Sequence, residues 1–410
     1  MSLNNTPLSE RIHIGFFGRT NAGKSSLINA ITGQQVSLVS EVRGTTTDPV
    51  KKSMELLPLG PVVFIDTPGL DDNSQLGELR ERRTRDILNQ IHIAVIVADA
   101  LEGITEVERK LEIQLKEAQI PYLVAYNKKD LLKETNKKPG VESDKCDSEK
   151  QEETETEDKI YVSAVTGENI GLLKEKIAGL KIGREEKRLV ADLLNPGDHV
   201  VLVIPIDKAA PKGRLILPQQ QTIRDILDAG CTLSVCQVEN IEDTLELLQK
   251  HPKLVITDSQ VFSKVKEVIP EDIMLTSFSI LFARYKGDLE STVKGAFQIE
   301  ELEDGDKILI SEGCTHHRQC GDIGTEKLPK WILKYTGKNL TFEFTSGGDF
   351  PENIKDYKLI IHCGACMLNE KQMQARMTGA KINKIPMTNY GIAIAYLNGI
   401  LKRSIKPFGM

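Results

Sequence analysis

The sequence is poor in aromatic residues, which make up 5% of its 410 positions and include one tryptophan. Surfaces that hold single-stranded nucleic acid interleave basic side chains with rings on which bases stack, and residues 180 to 410 contain no such run. Charge of one sign is lacking too: 53 Lys and Arg stand against 59 Asp and Glu, a formal net charge of -6. Residues 142 to 158 alone hold nine acids and two lysines, so the remainder of the chain is close to neutral. The acidity belongs to one polar, solvated loop, and the body has no strong field to draw it to nucleic acid or to a membrane. Long apolar runs are also missing, since Ile392 to Leu401 falls well short of the roughly 20 residues that span a bilayer. The first residues lack the basic, apolar and small-residue succession of a secretory leader. A cytoplasmic protein with neither a membrane nor a nucleic-acid partner is expected. Cysteine is the last scarcity: seven is an odd number, and without a leader it speaks against a disulfide framework. Four of the seven, Cys314, Cys320, Cys363 and Cys366, fall in the last quarter of the chain, where clustered reduced thiols suggest metal.

What is present is an alternation of strand-like and helix-like segments. From Arg11 to about Leu180 the apolar runs IHIGFF, VVFIDT, IAVIVADA, YLVAYNKKD and IYVSA are separated by helical patterns, which predicts a doubly wound, mostly parallel sheet with ligands at the carboxyl ends of its strands. After residue 181 a smaller α/β unit carries HVVLVIPID, CTLSVCQVE and KLVITD. It is too small to cover both faces of its sheet, so a partner surface is expected. From about Ile273 a third unit alternates again. The expected fold is therefore α/β with three domains: a P-loop nucleotide-binding fold at 1–180, a small parallel-sheet unit at 181–272 and another at 273–410.

Gly18 to Ser25 satisfies G-x-x-x-x-G-K-S between a strand and a helix. Gly18 and Gly23 let backbone N–H groups curl around phosphate oxygens at a helix N-terminus, Lys24 reaches the β and γ phosphates, and Ser25, followed by Ser26, ligates Mg²⁺. Asp66-Thr67-Pro68-Gly69 ends the strand VVFI and offers a carboxylate toward Mg²⁺ and the Gly69 N–H toward the γ phosphate. Thr46, in the polar stretch Gly44 to Thr47, can complete the metal shell. Asn127-Lys128-Lys129-Asp130 follows YLVAY, and Asp130 can accept both ring and exocyclic N–H of guanine. Ser163-Ala164 offers an N–H to the guanine oxygen.

These five elements, in this order, resemble the small GTPase family, and GRTNAGKSS, GTTTD and DTPGL look like its TrmE branch. Leu70 occupies the place of the glutamine that orients water in Ras-like members. The resemblance implies that Asn21 helps bind a potassium ion that supplies charge at the phosphates, so that Lys24, Asn21 and Thr46 carry catalysis, with Glu78 as a candidate water-orienting residue.

At the other end, Cys314-Thr315-His316 follows DKILIS, and His362-Cys363-Gly364-Ala365-Cys366 follows YKLII. Parallel strands in one sheet would bring both clusters to one edge. Three thiols and a histidine suit a closed zinc site, whereas three thiolates with a weak fourth ligand suit a 4Fe-4S cluster with one open iron. Joined to a TrmE-like GTPase and a middle α/β unit, C-x-H and H-C-x-x-C resemble the HydF family of di-iron hydrogenase maturation GTPases across essentially the whole chain. The resemblance implies GTP/GDP, Mg²⁺ and K⁺ at the first site. At the second it implies a 4Fe-4S cluster held by Cys314, Cys363 and Cys366, with His316 and His362 variable in ligation. It further implies a homodimer formed through the middle unit, and a scaffold that takes a transient di-iron precursor from radical-SAM maturases to apo FeFe-hydrogenase. The competing reading is a GTPase with a structural zinc module that acts in RNA modification or ribosome assembly.

Overall fold

The structure is a computed structural model that describes residues 6–33, 50–70, 84–135, 158–183, 187–206, 215–313, 322–351 and 353–410. The chain divides into two compact units, Met1–Arg184 and Glu185–Met410. No helix among the described residues is long and apolar enough to cross a membrane.

The first unit is built on six strands: β1 (Ile12–Phe17), β2 (Val50–Leu56), β3 (Gly60–Asp66), β4 (Ile93–Asp99), β5 (Tyr122–Asn127) and β6 (Lys159–Tyr161). They lie in the order β2-β3-β1-β4-β5-β6, and only β2 runs antiparallel to its neighbour. Every residue of β1 is buried and β4 is buried up to Asp99, because a parallel sheet is covered on both faces and successive side chains point to opposite ones. Ile12, Ile14 and Phe16 pack on Leu27, Ile28 and Ile31 of the helix Lys24–Thr32 and on Leu173 and Ile177 of the helix Ile170–Gly179. Val63, Ile65, Ala94 and Ile96 face the other way, toward Leu111 and Leu115 of the helix Glu106–Glu117. The parallel pairing puts the carboxyl ends of β1, β3, β4 and β5 at one edge, where the glycine-rich loop, DTPG and NKKD follow.

The second unit holds two all-parallel four-stranded sheets. One has β7 (His199–Val203), β8 (Thr232–Cys236), β9 (Leu254–Thr257) and β10 (Met274–Ser277) in the order β10-β9-β7-β8. The other has β11 (Lys307–Ser311), β12 (Thr341–Thr345), β13 (Leu359–His362) and β14 (Met387–Asn389) in the order β12-β11-β13-β14. The strand that opens the third segment of the sequence reading is thus β10, an edge of the middle sheet, with Leu275 opposite Val255. The middle sheet also finds cover for both faces within the chain. Val200 and Leu202 on one face pack with Phe278, Leu281 and Phe282 of the helix Phe278–Lys286. Val201 and Val203 on the other pack with Ile392, Ala395, Leu401 and Ile405 from the last two helices.

Candidate nucleotide and metal sites

The phosphate loop leaves β1 with two glycines in conformations that exclude other residues. Gly18 has φ of +152° and Gly23 of +89°. A Cβ at Gly18 would lie 2.1 Å from the Val97 carbonyl oxygen, and one at Gly23 would lie 2.2 Å from Asn127 Nδ2. Asn21 also has positive φ, at 64°. The loop feeds the helix Lys24–Thr32, so loop and first-turn amides are available to an anion. Lys24 is buried, and its Nζ donates to the carbonyls of Gly18 (3.0 Å) and Arg19 (2.8 Å), which holds the ammonium over the loop. Ser26 is exposed in the first turn.

Ser25 Oγ donates to Asp66 Oδ2 at 2.5 Å, so two of the expected magnesium-shell groups are adjacent. The other carboxylate oxygen, Asp66 Oδ1, is buried with no hydrogen-bond partner among the described residues. A buried carboxylate oxygen without a donor is costly, and a hydrated cation would satisfy it. Thr67 Oγ1 donates to the Phe16 carbonyl (2.7 Å) and the Leu70 amide to the Gly18 carbonyl (3.1 Å), which ties the DTPGL segment to the loop. Gly69 fits against Thr20, whose Oγ1 a Cβ would approach to 2.2 Å. Leu70 is a core residue beside Ile87 and Ile91. Thr46 and Glu78 lie outside the described residues.

At the base-reading end, Asn127 Nδ2 donates to the Ala22 carbonyl (3.1 Å) while its Oδ1 accepts from the Ala164 amide (3.0 Å). One side chain therefore links the phosphate loop to the Ser163-Ala164 loop. Ser163 Oγ donates to Asp130 Oδ1 at 2.6 Å, which orients the carboxylate. Lys128, at φ of 67°, pairs with Asp99 at 2.6 Å. Burial pushes the Asp99 carboxyl up, but the Lys128 ammonium and the Leu101 amide outweigh it and hold the group below its ordinary value. Asp99 was not singled out in the sequence, although its place at the end of the apolar run IAVIVAD is a signal. Arg19, which bridges Glu102 and the buried Glu108, had none.

In the second unit, β11 and β13 are adjacent and parallel with Ser311 opposite His362. The Cys363 amide donates to the Ser311 carbonyl at 2.9 Å. The H-C-x-x-C segment therefore leaves the sheet beside Glu312 and Gly313, the two residues before Cys314. Cys314, His316, His317 and Cys320 lie outside the described residues, and among those described no group of three or more Cys, His, Asp or Glu gathers at one point. Cys363 Sγ accepts from the Gly313 amide (3.0 Å) and the Ala365 amide (3.4 Å), an arrangement that favours a thiolate. Burial pushes the Cys366 thiol up, the nearby Cys363 adds to this, and Lys286 opposes it. The almost fully buried Lys286 donates to the carbonyls of Ala365 (3.3 Å) and Leu368 (3.0 Å). Two soft donors at the edge from which a third directly follows fit zinc or an iron–sulfur cluster.

His362 is fully buried, with Nδ1 against the Cys363 carbonyl (2.9 Å) and Nε2 against Arg376 Nη1 (2.8 Å). Neither Arg376 nor Lys286 was legible in the sequence. Each is one of 53 basic residues, and only the packing of the helices Glu370–Ile382 and Phe278–Lys286 buries it.

The fold and the first site define a P-loop GTPase. The pattern described as 50S ribosome-binding GTPase matches residues 13–128. A tRNA modification GTPase MnmE of Nitrosomonas europaea is 33% identical over 168 residues, 41% of this chain and 34% of that protein. A GTPase Der of Helicobacter hepaticus is 39% identical over 124 residues, 30% of this chain and 25% of that protein. The chain thus spans a quarter to a third of the length of these two relatives. The solved G domain of the T. maritima FeoB iron transporter is 25% identical, with 41% of this chain and 97% of that one covered and a TM-score of 0.29. Beyond the GTPase region, the hydrogen maturase F dimerization domain matches residues 189–287 and the hydrogen maturase F tetramerization domain matches 290–407, together more than half of the chain. The chain belongs to the hydrogen maturase F (HydF) family.

Proposed function

We propose that the protein is a GTP-hydrolysing scaffold of hydrogenase maturation that carries a 4Fe-4S cluster and hands a di-iron precursor to apo FeFe-hydrogenase. The observation that carries this reading is the joining, in one HydF chain, of the phosphate loop to the adjacent parallel strands β11 and β13, with Cys363 and Cys366 at the edge from which Cys314 follows. Residues 1–180 act as the GTPase domain, the middle sheet, which runs past the expected boundary at 272 to include β10, as the dimerisation domain, and the remainder to 410 as the cluster domain, with radical-SAM maturases and the apo-hydrogenase as partners.

At the first site, Lys24 and the loop amides bind and orient the β and γ phosphates of GTP. Ser25 and Asp66 hold Mg²⁺ with Thr46, and Asp130, fixed by Ser163 and aided by Asn127 and Lys128, reads guanine. Asn21 contributes to a potassium site, because Leu70 supplies no polar group to the attacking water. At the second site Cys314, Cys363 and Cys366 hold the cluster. When bound, it would supply an iron whose fourth position is exchangeable, with His316, two residues after Cys314 in the sequence, as a candidate for it. The amides of Gly313 and Ala365 hold negative charge on the Cys363 sulfur.

Anaerobic reconstitution with iron and sulfide, followed by EPR of the reduced protein, tests the reading. A 4Fe-4S signal at one cluster per chain is expected. Stoichiometric zinc that resists replacement, with no such signal, would instead favour the structural-zinc alternative.

A further inference from the structure

One guanidinium spans the carboxyl ends of three neighbouring strands at the place from which the cysteines leave. Arg376 is buried, at 8% exposure. Its Nη1 donates to His362 Nε2 (2.8 Å) at the end of β13 and to Ser311 Oγ (3.3 Å) at the end of β11. Its Nη2 donates to the carbonyls of Gly347 (2.9 Å) and Gly348 (3.3 Å), in the turn after β12. The Phe350 ring lies 5.0 Å from its guanidinium carbon.

The consequence for His362 follows from hydrogen-bond chemistry. A guanidinium only donates, so Nε2 must be the acceptor and carry no proton. The carbonyl of Cys363 only accepts, so Nδ1 carries the proton and donates it. Both ring nitrogens are therefore committed, one to a buried cation and the other to the backbone of a cysteine. A metal at Nε2 would have to displace a guanidinium that has lost its water.

We infer that His362 is a positioning residue and not a metal ligand. Arg376 locks its tautomer and, through it, the backbone of Cys363, while holding a buried positive charge one hydrogen bond from the residue that precedes Cys363. This rests on the reading that Cys314, Cys363 and Cys366 hold a 4Fe-4S cluster. Two consequences separate it from a merely structural role. A nearby buried cation stabilises the more negative, reduced state, so it raises the reduction potential. A histidine committed elsewhere gives no strong nitrogen coupling to the iron spins.

The test uses the full chain labelled with ¹⁵N-histidine, reconstituted anaerobically with ferrous iron and sulfide, and examined by iron and sulfide analysis, redox titration and pulsed EPR. His362→Gln should leave any strong histidine coupling unchanged, and His316→Gln should remove whatever coupling there is. Arg376→Gln should shift the potential negative at unchanged iron content, whereas Arg376→Lys, which keeps the charge, should stay close to the parent. A strong coupling that survives His316→Gln and is lost in His362→Gln overturns the inference, as does an Arg376→Gln protein whose cluster keeps the parent potential. Should Arg376→Gln fail to fold, the coupling in the parent and the His316→Gln protein still decides, since neither carries that change. Failure of the parent to take up any cluster would overturn the underlying reading, and the inference with it. A cluster that forms but shows His362 coupling overturns the inference alone.

Discussion

On the function proposed above, the two ends of the molecule hold a charged group at the carboxyl edge of a parallel sheet by different means. At the phosphate loop the binding groups are mostly backbone amides, and a contiguous stretch from Gly18 to Ser25 sets them by forcing two glycines to positive φ. At the cysteine edge the candidate binding groups are side chains that follow β11 and β13, about fifty positions apart in sequence, and Lys286 and Arg376, buried on two helices, hydrogen-bond to the ends of these strands and the segment after them. A loop of backbone amides leaves a sequence motif that can be read at sight. A site assembled by strand pairing leaves only its ligands in the sequence, and its supports stay invisible until the helices are packed.

The sharpest way to break the comparison is to remove the buried ammonium of the first site. Lys24→Ala deletes the cation that Gly18 and Arg19 hold over the loop. A positioned charge on the phosphates contributes several kcal/mol in the transition state, so kcat for GTP should fall by about 10³-fold or more. Iron content after reconstitution should not change. Single-turnover hydrolysis measured beside iron analysis checks both, and a joint loss would show that the two ends are not separable.

The complementary change, Cys363→Ala, removes the sulfur on which the Gly313 and Ala365 amides converge. Cluster uptake should be lost while GTP turnover stays within about twofold, since the nucleotide-site residues all belong to the other compact unit. Residual iron of more than half the parent value would show that the site does not need this thiolate.

How much of this was legible follows the same division. The order of elements in the first unit, the loop, the DTPG segment and the base-reading residues could be read because each motif sits directly after an apolar strand. The adjacency of β11 and β13 could be read from the equivalent placement of two ligand-rich turns. The membership of Met274–Ser277 in the middle sheet could not, because pairing with β9 is a tertiary choice that no local pattern records. Nor could the cover of that sheet by residues 392 to 405, more than a hundred positions downstream. Arg376 is the extreme case: an arginine on a helix with almost no apolar stripe reads as solvated until Phe350 and three strand ends close around it.

A smaller effect is expected at the opposite edge of the first sheet, away from the nucleotide site. Burial, with some repulsion from Lys51 and Arg11, lowers His13 to about 4, against the carbonyl of Leu8 and that of Gln90, which raise it. An unfolded chain binds this proton more readily, so the contribution to stability is complete above about pH 6.5 and is lost as the pH falls toward 4. Between pH 7 and pH 5 the first unit should lose up to about 2 kcal/mol. Hydrogen exchange of β1 and β4 in the full chain at the two pH values, corrected for intrinsic rates, measures this. His13→Gln should flatten the difference, and an unchanged slope would assign it to other groups.

The finest discrimination concerns how the first site finds its charge. Leu70 is packed in the core beside Ile87 and Ile91, and its amide is committed to the Gly18 carbonyl, so neither its side chain nor its N–H is available to orient water. In the reading proposed above, charge stabilisation comes from Lys24, from Mg²⁺ and from one further cation near Asn21, a loop residue with positive φ. Potassium should accelerate hydrolysis over sodium at matched ionic strength by about tenfold, or about 1.4 kcal/mol. Asn21→Ala should remove the difference between the two salts without weakening GDP binding by more than a few fold. Equal rates in potassium and sodium for the parent protein would remove the potassium site and the TrmE-like mechanism with it.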